Sequence, residues 1–115
     1  MDNQLREEIY RLHAHICSGL ADPLRILILY TLEAKPYNVS ELAEILGIPQ
    51  PTASRHLKVL RERGLVNAQR SAQAVYYSLA DTRVIEALNL LRAVLNTNLE
   101  SQARLVFSSR SDLSG

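Results

Sequence analysis

The sequence predicts a mainly α-helical domain with one small β-hairpin. Apolar residues recur at steps of three and four along most of the chain, the spacing that puts them on one face of a helix. Residues 65–79 instead place β-branched and aromatic residues around a short polar turn, which is typical of two paired strands. The 115 residues suit one domain, predicted at 1–107. Residues 108–115 show no pattern, and we expect a disordered tail there.

Apolar spacing and capping residues predict the first two helices. The first is expected at about residues 3–18 and ends near Gly19, with apolar positions at Leu5, Ile9, Leu12 and Ile16. Asp22 is expected to cap the second helix, with Pro23 at its favoured first position. This helix is apolar on most sides, so we expect it to be buried, and Pro36 is expected to end it.

The third and fourth helices follow each other closely in the chain. Ser40 is expected to cap the third helix and Gly47 to end it. Pro49 or Gln50 opens the fourth helix, and Gly64 is expected to end it. Two short helices joined by a tight turn form a helix-turn-helix unit.

A hairpin and a long helix complete the chain. Strands are expected at 65–70 and 74–79, with residues 71–73 at the hairpin tip. Asp81 or Thr82 is expected to cap the last helix, whose apolar residues are typical of a seam between packed helices: Val84, Leu88, Leu91, Leu95 and Leu99. A core this small cannot bury the stripes of both the first and the last helix, so these two helices are predicted to form a homodimer. The alternative is a last helix that folds back on its own domain.

Positive charge is concentrated on the fourth helix and the strand after it. The whole chain has a net charge of +1, but residues 50–70 hold five basic residues and one acidic residue, a net charge of +4. Residues 1–49 have a net charge of −3, and residues 71–115 have a net charge of zero. This distribution favours a nucleic-acid surface, although an ordinary solvated helix face can carry the same charges.

The fourth helix has an apolar edge and a polar, basic edge. Ala53, Leu57 and Leu60 recur at helical spacing and are expected to face the core. The polar edge fits the major groove of DNA, where arginine reads guanine and other basic side chains meet phosphates. The residues expected to contact DNA are Gln50, Thr52, Ser54, Arg55, His56, Lys58, Arg61 and, on the hairpin, Arg70. For His56, a packed and hydrogen-bonded position is an equal alternative to a DNA contact. For Arg61, an ordinary solvated position is an equal alternative.

These motifs resemble the ArsR/SmtB family of bacterial winged-helix repressors. Residues 41–47, Glu-Leu-Ala-Glu-Ile-Leu-Gly, and the run Ser-Arg-His-Leu with Leu-Arg-Glu-x-Gly-Leu behind it, in residues 50–65, carry the resemblance. Residues 20–27 are similar to the second helix of that family. The resemblance covers roughly residues 20–79. It implies a winged helix-turn-helix homodimer that binds double-stranded operator DNA and releases it in response to an effector.

The resemblance also identifies where this chain departs from the family pattern. One common metal site needs Cys-x-Cys, but Asn38 and Ser40 stand at the matching positions and offer no thiolate. A second needs an acid and histidines on the last helix; Asp81 keeps the acid, but Arg83 replaces the first histidine and no histidine follows His56. We therefore expect no metal or other cofactor, and the effector is unknown. The hairpin tip lacks the usual Gly and Arg, which predicts a weaker DNA contact there.

Cys17 is the single cysteine of the chain, and three interpretations of it stay open. It is a small buried apolar residue, a thiol that senses oxidants or reactive sulfur, or a metal ligand together with His13, which lies four residues before it. His15 points to another face of the helix. A single cysteine also argues against a disulfide framework.

Composition and motifs exclude several other classes. The chain has no Gly-rich phosphate loop, nucleophile elbow or pair of carboxylates in a plausible cleft, so we do not expect an enzyme. The net charge of +4 on residues 50–70 disfavours a winged-helix module that binds protein instead of DNA. No apolar run approaches the ~18 residues of a membrane helix, and the polar start is not expected to be a secretory signal. A cytoplasmic location is the resulting expectation.

Overall fold

The computed structural model describes the backbone of residues 1–114 and the side chains of residues 1–106. The helices are α1 (Asn3–Leu12), α2 (Pro23–Leu32), α3 (Val39–Leu46), α4 (Gln50–Glu62) and α5 (Arg83–Ser114), and the strands are β1 (Tyr37–Asn38), β2 (Val66–Ser71) and β3 (Ala74–Leu79). A π-helical turn, His13–Cys17, follows α1. Residues 1–82 form one compact unit, and α5 belongs to a second. Residues 108–114, which were predicted to form a disordered tail, continue the backbone of α5, and residue 115 lies outside the described residues.

Capping residues set two helix ends as predicted. The Asp22 carboxylate accepts a hydrogen bond from the Leu24 N–H at 2.8 Å, and Pro23 occupies the first turn of α2. Gly47 ends α3 with φ of 65°, a left-handed conformation that glycine adopts without a steric penalty. These residues therefore determine where α2 starts and where α3 stops.

Three helix boundaries differ from the sequence prediction. Ser40 does not cap α3, because Asn38 is the N-cap and the helix has already begun at Ser40. The second helix ends at Leu32, four residues before Pro36. The first helix is α-helical to Leu12 and then widens into the π-helical turn. Apolar spacing does not distinguish these two kinds of helix over a single turn.

The predicted two-stranded hairpin, the wing, is confirmed as β2 and β3, and a short third strand that was not predicted extends it to a three-stranded antiparallel sheet. The strand order is β1-β3-β2, and β1 joins β3 through the pair Tyr37 and Tyr77. In the hairpin Ser71 pairs with Ala74, which reduces the tip to two residues, 72 and 73. A two-residue strand such as β1 is too short to give an alternating pattern in sequence.

The core of the 1–82 unit lies where α2, α3, α4 and β2 meet. Its buried apolar side chains are Ile28, Leu29, Leu32, Leu42, Ala43, Ala53, Leu57, Leu60, Leu65 and Val66. Burial of one leucine or valine side chain contributes about 1.5–3 kcal/mol, so these contacts dominate the packing of the helix-turn-helix unit. The predicted inner edge of α4 is confirmed, because Ala53, Leu57 and Leu60 are all fully buried.

Both amphipathic helices keep apolar side chains exposed. In α1 these are Leu5, Ile9 and Leu12, each more than 40% exposed. In α5 they are Leu90, Leu91, Val94, Leu95, Leu99, Leu105 and Val106. Within the described part of the chain, no helix has the length and hydropathy needed to cross a membrane.

Candidate nucleic-acid interface

The outer face of α4 is polar, basic and open to solvent. Its exposed residues are Gln50, Pro51, Ser54, Arg55, Lys58, Arg61 and one acidic residue, Glu62, and Thr52 is half-buried. The side chains of Ala53, Leu57 and Leu60 anchor the opposite face in the core. The inner face of α4 therefore packs on the core, and its basic face is exposed and can contact a ligand.

The start of α4 is suited to an anion. Pro49 occupies the N-cap position without a side-chain hydrogen bond, and Pro51 lies in the first turn. Because no side chain caps this end, the positive end of the helix dipole stays open to a phosphate. Ser40 of α3 donates a hydrogen bond to Gln50 Oε1 at 3.3 Å, which joins the two helices of the helix-turn-helix at this end.

His56 adopts the packed alternative of the two that the sequence left open. Its side chain is 5% exposed, and its Nδ1 lies 3.3 Å from Nη1 of Arg25 in α2. The imidazole therefore points into the 1–82 unit and is not available on the outer face of α4. Its neighbour Arg55 is exposed, because consecutive residues of a helix point in different directions.

The wing presents one exposed cation near an uncharged tip. Arg70 of β2 is exposed and pairs with Val75 of β3. The tip residues are Ala72 and Gln73, and Ala72 has φ of 55°. A charged phosphate contact of the wing would therefore come from Arg70 on the strand and not from the turn.

Cys17 lies at the end of the π-helical turn, and its thiol is free and exposed. The interpretation of Cys17 as a buried apolar residue is therefore wrong for this chain. Among the residues that the structure describes, no three His, Cys, Asp or Glu side chains come together as a metal-binding group.

Sequence reasoning overlooked two arginines that hold α4 in place. Arg25 hydrogen-bonds to His56, and Arg63 at the end of α4 donates from Nη1 to the Ala14 carbonyl at 3.0 Å. The partners lie 31 and 49 residues away along the chain, so no local sequence pattern predicts these two contacts. An arginine beside the N-terminal cap of an otherwise apolar helix was the one available signal for Arg25.

This arrangement defines a winged helix-turn-helix protein: two helices in tandem, the second with an exposed basic face, followed by a β-hairpin. Comparison with known proteins agrees with that class. Residues 22–68 match the bacterial regulatory proteins of the arsR family. Over 89 residues the chain is 41% identical to the biofilm growth-associated repressor of Agrobacterium fabrum, covering 75% of this chain and 76% of that protein. The chain therefore belongs to the arsR family of bacterial transcriptional regulators.

Solved structures show the same fold. The crystal structure of NolR from Sinorhizobium fredii matches with a TM-score of 0.71 at 34% identity, covering 82% of this chain and 93% of that one. A homodimeric winged helix-turn-helix DNA-binding domain, Mb0332 from Mycobacterium bovis, matches with a TM-score of 0.73 at 28% identity. That match covers 87% of this chain and 92% of the other.

Proposed function

We propose that this protein is a sequence-specific DNA-binding transcriptional repressor that acts as a homodimer in the cytoplasm. The observation that carries the proposal is the exposed basic face of α4, whose opposite, apolar face is buried in the core. The repressor names of relatives such as that of Agrobacterium fabrum support the direction of regulation.

In this proposal α4 enters the major groove. Arg55 stands in the middle of the exposed face, where a guanidinium makes a bidentate contact with the O6 and N7 atoms of guanine. Lys58 and Arg61 lie towards the end of the helix and contact phosphates, while Gln50, Thr52 and Ser54 contact bases or phosphate near its start. Arg70 adds a phosphate contact from the wing.

The second copy of the chain covers the exposed apolar stripes. Leu5, Ile9 and Leu12 form one stripe on α1, and α5 exposes a longer one of its own. Stripes of this kind are usually covered by a partner in a soluble protein, and the Mycobacterium bovis relative is a homodimer. Two copies of α4 related by a two-fold axis read an inverted repeat whose half-sites lie about one helical turn apart.

Two measurements test the proposal. Gel-shift titration with the DNA upstream of the protein's own gene should show a complex that random duplex of equal length does not compete away. Sedimentation should show a dimer at micromolar concentration, alone and on DNA. A monomer that binds DNA as a monomer would contradict the dimer, and equal affinity for the two duplexes would contradict sequence-specific recognition.

The exposed thiol supports one candidate for the regulatory signal, which is a thiol-based response through Cys17. Modification of Cys17 would alter the π-helical turn, in which the Ala14 carbonyl accepts the hydrogen bond from Arg63 at the end of α4. The experiment compares DNA release by wild type and Cys17→Ser under peroxide and under polysulfide. Release by the wild type alone supports the thiol signal. An identical response of both proteins excludes Cys17 as the sensor.

A further inference from the structure

Arg25 bridges the middle of α4 and residues 18–19, the end of the first helix beyond the π-helical turn. Its Nε donates to the Gly19 carbonyl at 2.8 Å, and its Nη2 donates to the Ser18 carbonyl at 3.2 Å. Its Nη1 lies 3.3 Å from Nδ1 of His56. All three contacts are part-buried, so water competes for them less than on an open surface.

The chemistry of this bridge defines the state of His56. A guanidinium can only donate hydrogen bonds, so the contact assigns Nδ1 of His56 as the acceptor and the ring N–H to Nε2. The three donors of Arg25 point in different directions within one plane, whereas a lysine offers a single ammonium. Arginine can therefore make all three contacts at once, whereas lysine cannot.

Two neighbouring contacts hold the same two segments together. Arg63, the C-cap of α4, donates to the Ala14 carbonyl in the π-helical turn. Gly19 packs so tightly that an added Cβ would stand 3.3 Å from Cβ of the same Arg63, and 2.9 Å from Cδ1 of Leu65 just after α4. The end of the first helix therefore contacts α4 at two places. Arg25 makes the contact at the middle of α4, and Arg63 makes the contact at its C-terminal end.

We propose that Arg25 is a positioning residue for DNA recognition. It holds α4 at a defined angle to the end of the first helix, through the buried His56, without touching DNA. The inference rests on the proposed function, because the angle matters only if α4 reads DNA. In a dimer that uses α1, this angle also sets the separation of the two copies of α4.

The test uses a duplex that wild-type protein selects from a randomised pool. Arg25→Lys keeps the charge but loses the fork, and its affinity for the selected duplex should fall about tenfold, the size of effect expected when a displaced α4 loses one base contact. Its affinity for random duplex should stay within about twofold, because that binding depends on phosphate contacts. Nitrogen NMR of His56 should show the Nε2–H tautomer in wild type and a changed Nδ1 signal in Arg25→Lys.

A pair of variants at His56 provides an independent arm if Arg25→Lys unfolds. His56→Asn keeps an acceptor at the position of Nδ1, whereas His56→Phe fills the same space without one. His56→Asn should retain more of the preference for selected over random duplex than His56→Phe does. Equal preference in this pair, or an unchanged preference in folded Arg25→Lys, would overturn the positioning role and leave the proposed function intact. Failure to select any duplex would overturn the proposed function, and this role with it.

Discussion

Asn38 and Glu41 cap the first turn of α3 reciprocally. Asn38 Oδ1 accepts a hydrogen bond from the Glu41 N–H at 2.9 Å, and Glu41 Oε1 accepts one from the Asn38 N–H at 3.0 Å. This capping box satisfies two backbone donors that a helix start leaves unpaired. It fixes the start of α3, the first helix of the helix-turn-helix, directly after β1.

Removal of the cap should destabilise the protein. We expect Asn38→Ala to lower the free energy of unfolding by about 1 kcal/mol, the usual cost of losing an N-cap side chain. Ser40→Ala is the matched control, because Ser40 is already inside α3 and loses only its exposed hydrogen bond to Gln50, and it should cost less than about 0.5 kcal/mol. Urea unfolding of both variants measures the difference, and equal losses would contradict the assignment of the cap to Asn38.

Asn38 and Ser40 also determine what response to metals we expect. They stand where the family resemblance places the two thiolates of one metal site, and Asn38 is engaged in capping. We therefore expect stoichiometric zinc, cadmium or arsenite to leave DNA affinity unchanged, as measured by fluorescence anisotropy with and without each metal. Release of DNA by any of them, in wild type and in Cys17→Ser alike, would show that the chain holds a metal site of another kind.

Arg55 should carry sequence discrimination. Since Arg55 is exposed in the middle of the outer face of α4, Arg55→Ala should cost about 1–3 kcal/mol of preference for the operator over random duplex. Competition titrations with the two duplexes at one salt concentration measure this preference. If Arg55→Ala weakens binding to both duplexes equally, Arg55 contacts phosphate and does not read a base.

Lys58 should act differently from its neighbour Arg55. As a phosphate contact on the same exposed face, its loss in Lys58→Ala should weaken binding to all duplexes about equally. The slope of log affinity against log salt concentration should fall by about one unit, since about one fewer counterion is released. Titrations at several salt concentrations test this, and a slope equal to that of wild type would remove Lys58 from the interface.

The turn of the wing contains a strained residue. Ala72 has φ of 55° at the first central position of the two-residue hairpin, where glycine is favoured. We expect Ala72→Gly to raise the free energy of unfolding by about 0.5 kcal/mol, because relief of the steric cost exceeds the added flexibility of the unfolded chain. Gln73→Gly is the control, and it should destabilise by about 0.5–1 kcal/mol. Thermal unfolding distinguishes the two; a loss of stability in Ala72→Gly would contradict the strain.

Local chemistry in the sequence predicted much of this fold. Asp22, Pro23 and Gly47 act through their nearest neighbours, so the boundaries that they set could be read from residue type alone. The cap of α3 was also readable: Asn38 and Glu41 have the spacing of a capping box, a more specific signal than Ser40 by itself. The inner edge of α4 followed from helical spacing, because burial on a helix repeats every three to four residues.

The sequence by itself determined the helix-turn-helix, the hairpin and the concentration of positive charge on α4, because each depends on residues close together in the chain. The tertiary structure alone decided that β1 joins the sheet, that His56 is buried and that Cys17 is exposed. It also decided that Arg25 and Arg63 tie α4 to the end of the first helix. Those outcomes depend on contacts between segments that are distant in the chain. Such contacts produce no periodic pattern in the sequence around either residue.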